Sequence, residues 1–181
     1  KVNRAEIVLF EVGGTVGEYQ NLLFLEANRL LKLKHPNDVL HIHVTYLPVP
    51  SALGEMKSKP AQMSIQQLAS SGVIADFVLA RSLEAVDEKR KEKIAITCGL
   101  RIEDIISAPD VENIYQVPLN YENQQLSDKI LKKLKMKPRT SDLAQWKMMV
   151  NRALTASKTA KIVMVGKYFS TGDFTLSDAY L

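Results

Sequence analysis

A chain of 181 residues, 46% hydrophobic and 24% charged, has a globular composition and is long enough for one packed domain, or one domain and part of another. The net charge of +4 suits an anionic ligand, but 7% aromatics and no basic–aromatic interleaving give no nucleic-acid signature. No run of about 18 apolar residues exists to cross a membrane. The single Cys98 excludes an internal disulfide and fits a reducing compartment.

The chain has no initiating Met and enters a strand-like run within four residues, which reads as a cut and not a natural beginning. Its first residues also lack the apolar core and cleavage site of a signal peptide. Short apolar runs then alternate with helical patterns, the order of an α/β protein with a mainly parallel sheet and flanking helices. Ala5–Phe10 (AEIVLF) reads as a buried strand, and Leu22–Lys34 as an amphipathic helix stopped by His35-Pro36. Leu40–Leu47 is the next strand, with His41, His43 and Thr45 on one face. Ser64–Ser71 reads as a helix closed by Gly72. Asp76–Ala80 and Ile94–Thr97 read as short strands separated by the charged stretch Glu84–Lys93, and Val111–Val117 as one more extended piece.

After Pro118 the pattern becomes helical. Gln124–Met136 is a Lys-rich amphipathic helix with Leu126, Ile130, Leu131 and Leu134 as its stripe. Ser141 or Asp142 is placed to cap a helix carrying Trp146 and Val150. A polar connector follows, and Lys161–Gly166 (KIVMVG) reads as the opening strand of a second unit.

Chemistry concentrates in two stretches. In Glu11-Val-Gly-Gly-Thr-Val-Gly-Glu18 an acid follows directly on a strand-like run, and three glycines come within the next six residues. Ligands of open α/β sheets bind beyond the carboxyl ends of strands. Glycines let backbone N–H groups approach an anion, and a carboxylate beside them suits Mg²⁺. A tight turn with no ligand is the other reading. The ending of a Walker A loop is missing. The second stretch, Gly54–Gln62, holds Lys57 and Lys59, which can both face one polyanion if the backbone is extended, and Gln62, able to hydrogen-bond a base or sugar. A solvated surface loop is the alternative there.

Arg81 and Lys93 could each contact a phosphate, although Asp87–Lys93 reads first as a solvated helical face. His41 and His43 lack further metal ligands and read as satisfied strand histidines. Cys98 reads as a small buried residue, and the methionines and Trp146 as core. No Ser–His–Asp or Cys–His set stands out.

These pieces in register resemble the CTP synthase family. The resemblance rests on Glu11–Glu18, His43–Pro48, Gly54–Gln62, Arg81-Ser82 and Asp110–Pro118, with Met164–Tyr168 and Asp178–Tyr180 resembling the opening of that family's glutaminase domain. It implies a P-loop NTPase-like, dethiobiotin-synthetase-like amidoligase fold lacking its N-terminal P-loop portion. Residues 1–140 would be the C-terminal part of the synthetase domain, 141–160 a linker helix and connector, and 161–181 the start of a class I glutamine amidotransferase domain.

The activity implied is amination of UTP to CTP, with ATP phosphorylating the uracil O4 and ammonia, from glutamine, displacing the phosphate. A cytoplasmic homotetramer using ATP and Mg²⁺ is implied, with no nucleic-acid or membrane partner. By position, Glu11 matches the Mg²⁺ ligand. Lys57, Ser58, Lys59, Pro60, Ala61, Gln62 and Lys93 match the residues shared by UTP and CTP. Glu18, Tyr19 and Gln20 match the contact with the inhibitor CTP, and Pro109, Asp110 and Val111 the adenine contact, made largely through backbone groups. Ser58 and Ala61 stand where Thr is common, Gln20 where Glu is usual, and Pro109 also departs from the pattern. The P-loop Gly-Lys, a second Mg²⁺-binding Asp and the Cys–His–Glu triad have no counterpart in the sequence, so the resemblance implies that this stretch alone neither makes CTP nor hydrolyses glutamine. Another P-loop amidoligase, of the dethiobiotin or cobyrinate type, or a non-catalytic nucleotide-binding or assembly module are the competing readings.

Overall fold

The computed structural model describes residues 5–52, 54–139 and 142–163. Among them three parallel strands, β1 (Ile42–Tyr46), β2 (Phe77–Ser82) and β3 (Ile105–Pro109), form one sheet in the order β1-β2-β3. Val44 pairs with Leu79, and Leu79 with Ile106, so the middle of each strand lies level across the sheet. The connections are helical, as parallel strands require: α2 (Lys59–Ser70) joins β1 to β2, and α3 (Glu88–Cys98) joins β2 to β3. Before β1 comes α1 (Leu22–Lys34); after β3 come α4 (Val117–Asn123), α5 (Leu126–Lys133) and α6 (Ala144–Leu154). No helix among the described residues is long and apolar enough to cross a membrane.

The strand period of two sorts side chains onto two faces. One face carries Val78, Ala80 and Ile105 into the main core, where Ile65 and Leu68 of α2 and Ile94 of α3 cover them. The other sends Phe77 and Ile106 against Leu126, with Tyr121 and Ile130 packed alongside. Polar groups between these layers are paired. Ser82 Oγ donates to the Leu47 carbonyl (2.7 Å), and Ser107 Oγ accepts the Val86 N–H (2.9 Å). At the free edge of β3, the Gln124 amide brackets Ser107, accepting its N–H (2.9 Å) and donating to its carbonyl (2.8 Å). One side chain thus stands in for a missing strand.

Four expectations are corrected. Ile94–Thr97 is the last turn of α3: Asp87 accepts the Arg90 N–H (2.8 Å) at the helix start, and Ile94 and Ala95 face the core while Ile96 and Thr97 face outward. A four-residue apolar run does not distinguish a strand from a buried helical turn. Val111–Val117 is not extended, since a 3₁₀ turn at Ile114–Gln116 leads directly into α4. Ala5–Phe10 pairs with no described strand; Val8, Leu9 and Phe10 are all exposed. A strand is defined by its ladder, and this run is hydrogen-bonded to neither sheet edge. On α6 only Val150 is buried, while Met148 and Met149 are exposed, so that stripe is not core.

Other boundaries moved less. The helix expected at Ser64–Ser71 begins earlier, at Lys59, with Pro60 in its first turn where the missing N–H costs nothing. Of Gln124–Met136 only Leu126–Lys133 is helical, as α5: α4 has already ended at Asn123, and Gln125, whose φ is +59°, separates the two helices. Asp142 accepts the Ala144 N–H (2.8 Å) just ahead of α6, but the cap position is Leu143, which has no side-chain cap, so the expected Asp142 cap is displaced by one residue. Ser141, Met164–Tyr168 and Asp178–Tyr180 lie outside the described residues, as does the expected strand Lys161–Gly166 beyond residue 163.

His41, His43 and Thr45 share one buried face, as read from the alternation. His43 Nε2 pairs with Ser64 Oγ (2.8 Å), but neither ring nitrogen of His41 has a hydrogen-bond partner among the described residues, which corrects the reading of both as satisfied. Burial holds both imidazoles below the ordinary histidine range; at His41 the Asp76 carboxylate pulls upward and Lys32 pushes down. The unfolded chain therefore takes up protons near pH ~6.5 that the folded chain resists, and stability rises with pH. This contribution is full above the unfolded value and is lost as pH falls below it. The urea midpoint is expected to drop between about pH 7.5 and pH 5.5, and His41→Leu to flatten that drop. An equally steep drop in the variant would refute the assignment.

Candidate functional site

Three groups carry the candidate chemistry, and two of them, Gly54–Gln62 after β1 and the residues at the ends of β2 and β3, follow the carboxyl ends of strands. The first is the glycine loop before α1. Gly14 (φ +80°) and Gly17 (φ +98°) adopt backbone that side chains resist, and both are overlaid. The Glu18 carboxylate and the Asn21 amide sit over Gly14, and the Gln67 amide from α2 sits over Gly17. Asn21, itself buried, donates to the Gly13 carbonyl (2.6 Å) and fixes the loop onto the start of α1. Gln20 Nε2 donates to Glu18 Oε2 (2.9 Å), so the side chain that departs from the family pattern tethers Glu18 where a carboxylate would repel it. Tyr19 is exposed.

Glu11 is exposed and makes no hydrogen bond or ion pair among the described residues, and its carboxylate lies beside Gly13, where a Cβ would touch it at 3.5 Å. No cluster of three or more His, Cys, Asp or Glu stands ready to hold a metal there. That donor set fits a Mg²⁺ ion taking one protein carboxylate, with phosphate oxygens and water completing its shell.

The second group is Gly54–Gln62 with α3. Glu55 gathers cations from two elements: Lys57 Nζ lies 2.7 Å and Arg90 Nη2 3.5 Å from its carboxylate. Lys57, then Arg90 and Lys93, hold the Glu55 carboxyl below the usual carboxylate range. Arg90 Nε also donates to the Met56 carbonyl (3.0 Å) and pins the loop to α3. Lys57 and Lys93, remote in sequence, thus share one anionic neighbour. Lys59, exposed, opens α2, whose first turn has no side-chain cap. Backbone N–H groups of that turn are left for an anion.

Two details differ from the sequence reading. Ser58 between the lysines has α backbone (φ −85°, ψ −14°), so the pair is not displayed along an extended segment. Gln62 is only 3% exposed and its Nε2 donates to Ser58 Oγ (3.2 Å), which puts both side chains inside the turn with Ala61 and leaves Pro60 outside. Cys98, read as buried, is half-buried, with its thiol against the Gln62 carbonyl (3.8 Å); burial pushes the thiol up while Lys59 pulls it down.

The third group is a cavity of about 620 Å³ at the ends of β2 and β3, within the range of small-ligand sites. Ala108, Pro109, Val111, Ile114 and Val117 form its apolar walls, and Arg81, Asp110, Asn120 and Tyr121 its polar ones. Arg81 Nη2 donates to Asp110 Oδ1 (3.0 Å), and the Asp110 N–H to the Ser82 carbonyl (2.8 Å). Burial raises the Tyr121 phenol above its ordinary range, with Arg81 opposing. The expected Pro109, Asp110 and Val111 thus meet Arg81 here. Ile114, Val117, Asn120 and Tyr121 escaped the sequence reading because Val111–Val117 passed as extended. Val117-Pro118, a Pro at a helix start, was the signal available.

Residues 1–136 match the family model described as CTP synthase N-terminus. The chain is 41% identical over 180 residues to the CTP synthase of Saccharolobus solfataricus, covering 98% of this chain and 34% of that protein. It is 37% identical over 182 residues to that of Listeria monocytogenes (100% and 33%), and 40% over 173 residues to that of Pyrococcus furiosus (95% and 32%). The chain spans about a third of the length of these curated relatives. It belongs to the CTP synthase family, and these relatives are named as enzymes of that activity.

Proposed function

We propose that these residues form the pyrimidine-nucleotide and adenine-nucleotide contacts of an ATP-dependent UTP amination site. The observation that carries the reading is the convergence of Lys57 and Arg90 on Glu55, beside the uncapped start of α2, with Lys93 adding to the positive field there. This cationic cradle supports the assignment of these residues to the triphosphate of UTP and CTP. Lys57, Lys59 and Lys93 would hold phosphate oxygens as compact point charges, Glu55 yielding to the incoming anion. Ser58, Pro60, Ala61 and Gln62 would shape the turn that presents them.

Glu18, Tyr19 and Gln20 would contact CTP as inhibitor, and Pro109, Asp110 and Val111 the adenine of ATP. Glu11 would hold Mg²⁺, which supplies charge neutralisation at the transferred phosphate. In the reaction, the uracil O4 takes the ATP γ-phosphoryl group and ADP leaves. Ammonia, ultimately from glutamine, then attacks C4, phosphate departs, and CTP results. This chain's part is to bind and orient the two nucleotides, the dominant requirement in phosphoryl transfer. Cytoplasmic location and tetrameric assembly belong to the same reading.

The experiment is thermal unfolding of this polypeptide with UTP or CTP and Mg²⁺. Ligand at about a hundred times Kd adds ~2.7 kcal/mol, a rise of several degrees. The Lys57→Ala, Lys59→Ala pair is expected to weaken binding about tenfold, taking each lost contact at the strength of an exposed ion pair. Equal stabilisation of the pair and the wild type would remove those lysines from the site. No response from the wild type would remove the site itself.

A further inference from the structure

The adenine reading of the cavity leaves open which side chain reads the base, and one lining residue has the chemistry for it. Of the four polar side chains there, Arg81 and Asp110 bond each other at 3.0 Å and lie at the open mouth, 59% and 43% exposed. Tyr121 packs its ring against the Phe77 and Ile106 layer, and its hydroxyl, also without a hydrogen bond among the described residues, offers a single O–H and not a donor beside an acceptor. Asn120 remains: its side-chain amide makes no hydrogen bond among the described residues, and its position lines the cavity.

Its backbone is held firmly. Gln124 Nε2 donates to the Asn120 carbonyl (3.1 Å), and the same amide brackets Ser107 of β3 at 2.9 and 2.8 Å. One glutamine thus locks α4 to the strand that ends in Ala108 and Pro109, which line the same cavity as Asn120. The apolar walls Val111, Ile114 and Val117 offer a flat ring van der Waals contact and no hydrogen bonds. A primary amide presents an acceptor beside a donor, the complement of an aminopurine edge, whose exocyclic N–H donates next to a ring nitrogen that accepts.

We propose that Asn120 is a specificity-determining residue of this cavity: its Oδ1 accepts from the 6-amino group of a bound aminopurine nucleotide and its Nδ2 donates to the neighbouring ring nitrogen. The proposal rests on the nucleotide reading given above and adds a side-chain contact to the backbone contacts assigned to Pro109–Val111. Asn120 sits half-exposed on a short helix, so the substitutions below leave the fold intact, which unliganded melting curves check directly.

The test compares ATP with purine ribonucleoside triphosphate, which lacks only the 6-amino group, by titration calorimetry on wild type, Asn120→Leu and Asn120→Asp. Losing the amino group is expected to weaken binding to the wild type about tenfold, the worth of one good hydrogen bond. The same loss should shrink to within about twofold in Asn120→Leu, which has no acceptor, and persist in Asn120→Asp, which keeps one. An undiminished penalty in Asn120→Leu overturns the proposal and leaves the nucleotide site standing, with the base read elsewhere. Failure of the wild type to bind ATP at all overturns the nucleotide reading of the cavity and this proposal with it.

Discussion

Replacing Phe77 by alanine is expected to cost about 3–5 kcal/mol of stability, a large part of the ~5–15 kcal/mol that holds a typical domain together. Phe77 is fully buried at the start of the central strand, where Ile106 and Leu126 close over it. Lys133 Nζ lies 4.2 Å from its ring centroid and also reaches Asp104 Oδ2 (3.0 Å) and the Asp76 carbonyl (2.6 Å). Removing the ring opens a void beneath α5 and takes away a face over which that ammonium rests. Leu9→Ser is the matched contrast. Leu9 belongs to an equally apolar run but is 91% exposed, and its loss should stay within about 0.5 kcal/mol. Denaturant unfolding of both decides the matter. A Phe77→Ala cost below about 1.5 kcal/mol, or a Leu9→Ser cost above it, would contradict this division between buried and exposed apolar segments.

That contrast also shows where pattern reading of the fold stops. Leu40–Leu47 and Asp76–Ala80 were legible because strand alternation and turn residues at their ends agree, and the observed strands lie within or overlap those ranges. Ala5–Phe10 has the composition of a buried strand, yet composition says nothing about whether a partner edge is present to receive it. The run Ile94–Thr97 was misread because the cap at Asp87 acts seven residues upstream of it. The real third strand, Ile105–Pro109, carries a serine and a proline in five residues. Its polarity is tolerated because Ser107 is bracketed by Gln124 and bonded to Val86, partners no local window contains.

The candidate site divides in the same way. Glu11–Glu18 and Gly54–Gln62 could be found because glycines and lysines at fixed spacing announce anion chemistry locally. What the spacing did not reveal is who meets whom. Arg90 was hidden in a charged helical face, yet it ties Glu55 and Met56 to α3. Gln67 sits on an ordinary helix, yet its amide covers Gly17 and so joins the glycine loop to the helix that begins at Lys59. Asn120 and Tyr121 required α4 to be seen as a helix. Long-range contacts of this kind are set by tertiary packing, which overrides local preference.

The joining of loop and helix leads to the larger functional expectation. Gly14→Val should weaken CTP binding by about ten- to a hundredfold, because a β-branched residue at φ +80° stores roughly 1–3 kcal/mol of strain. The new Cβ would also stand 2.9 Å from Asn21 Nδ2, and Asn21 is buried and committed to the Gly13 carbonyl, so it has nowhere to go. The strain can be released only by moving the backbone between Gly13 and Glu18, and so displacing Glu18, the first of the residues assigned to CTP as inhibitor. Of that segment only Val16 packs against the core, so the unliganded melting temperature should change by no more than a few degrees. Gly14→Ala, without the branch, should fall between wild type and Gly14→Val in CTP affinity. Unchanged CTP binding in Gly14→Val would mean that the loop is a turn and nothing more, the bland alternative that the glycine spacing alone had left standing.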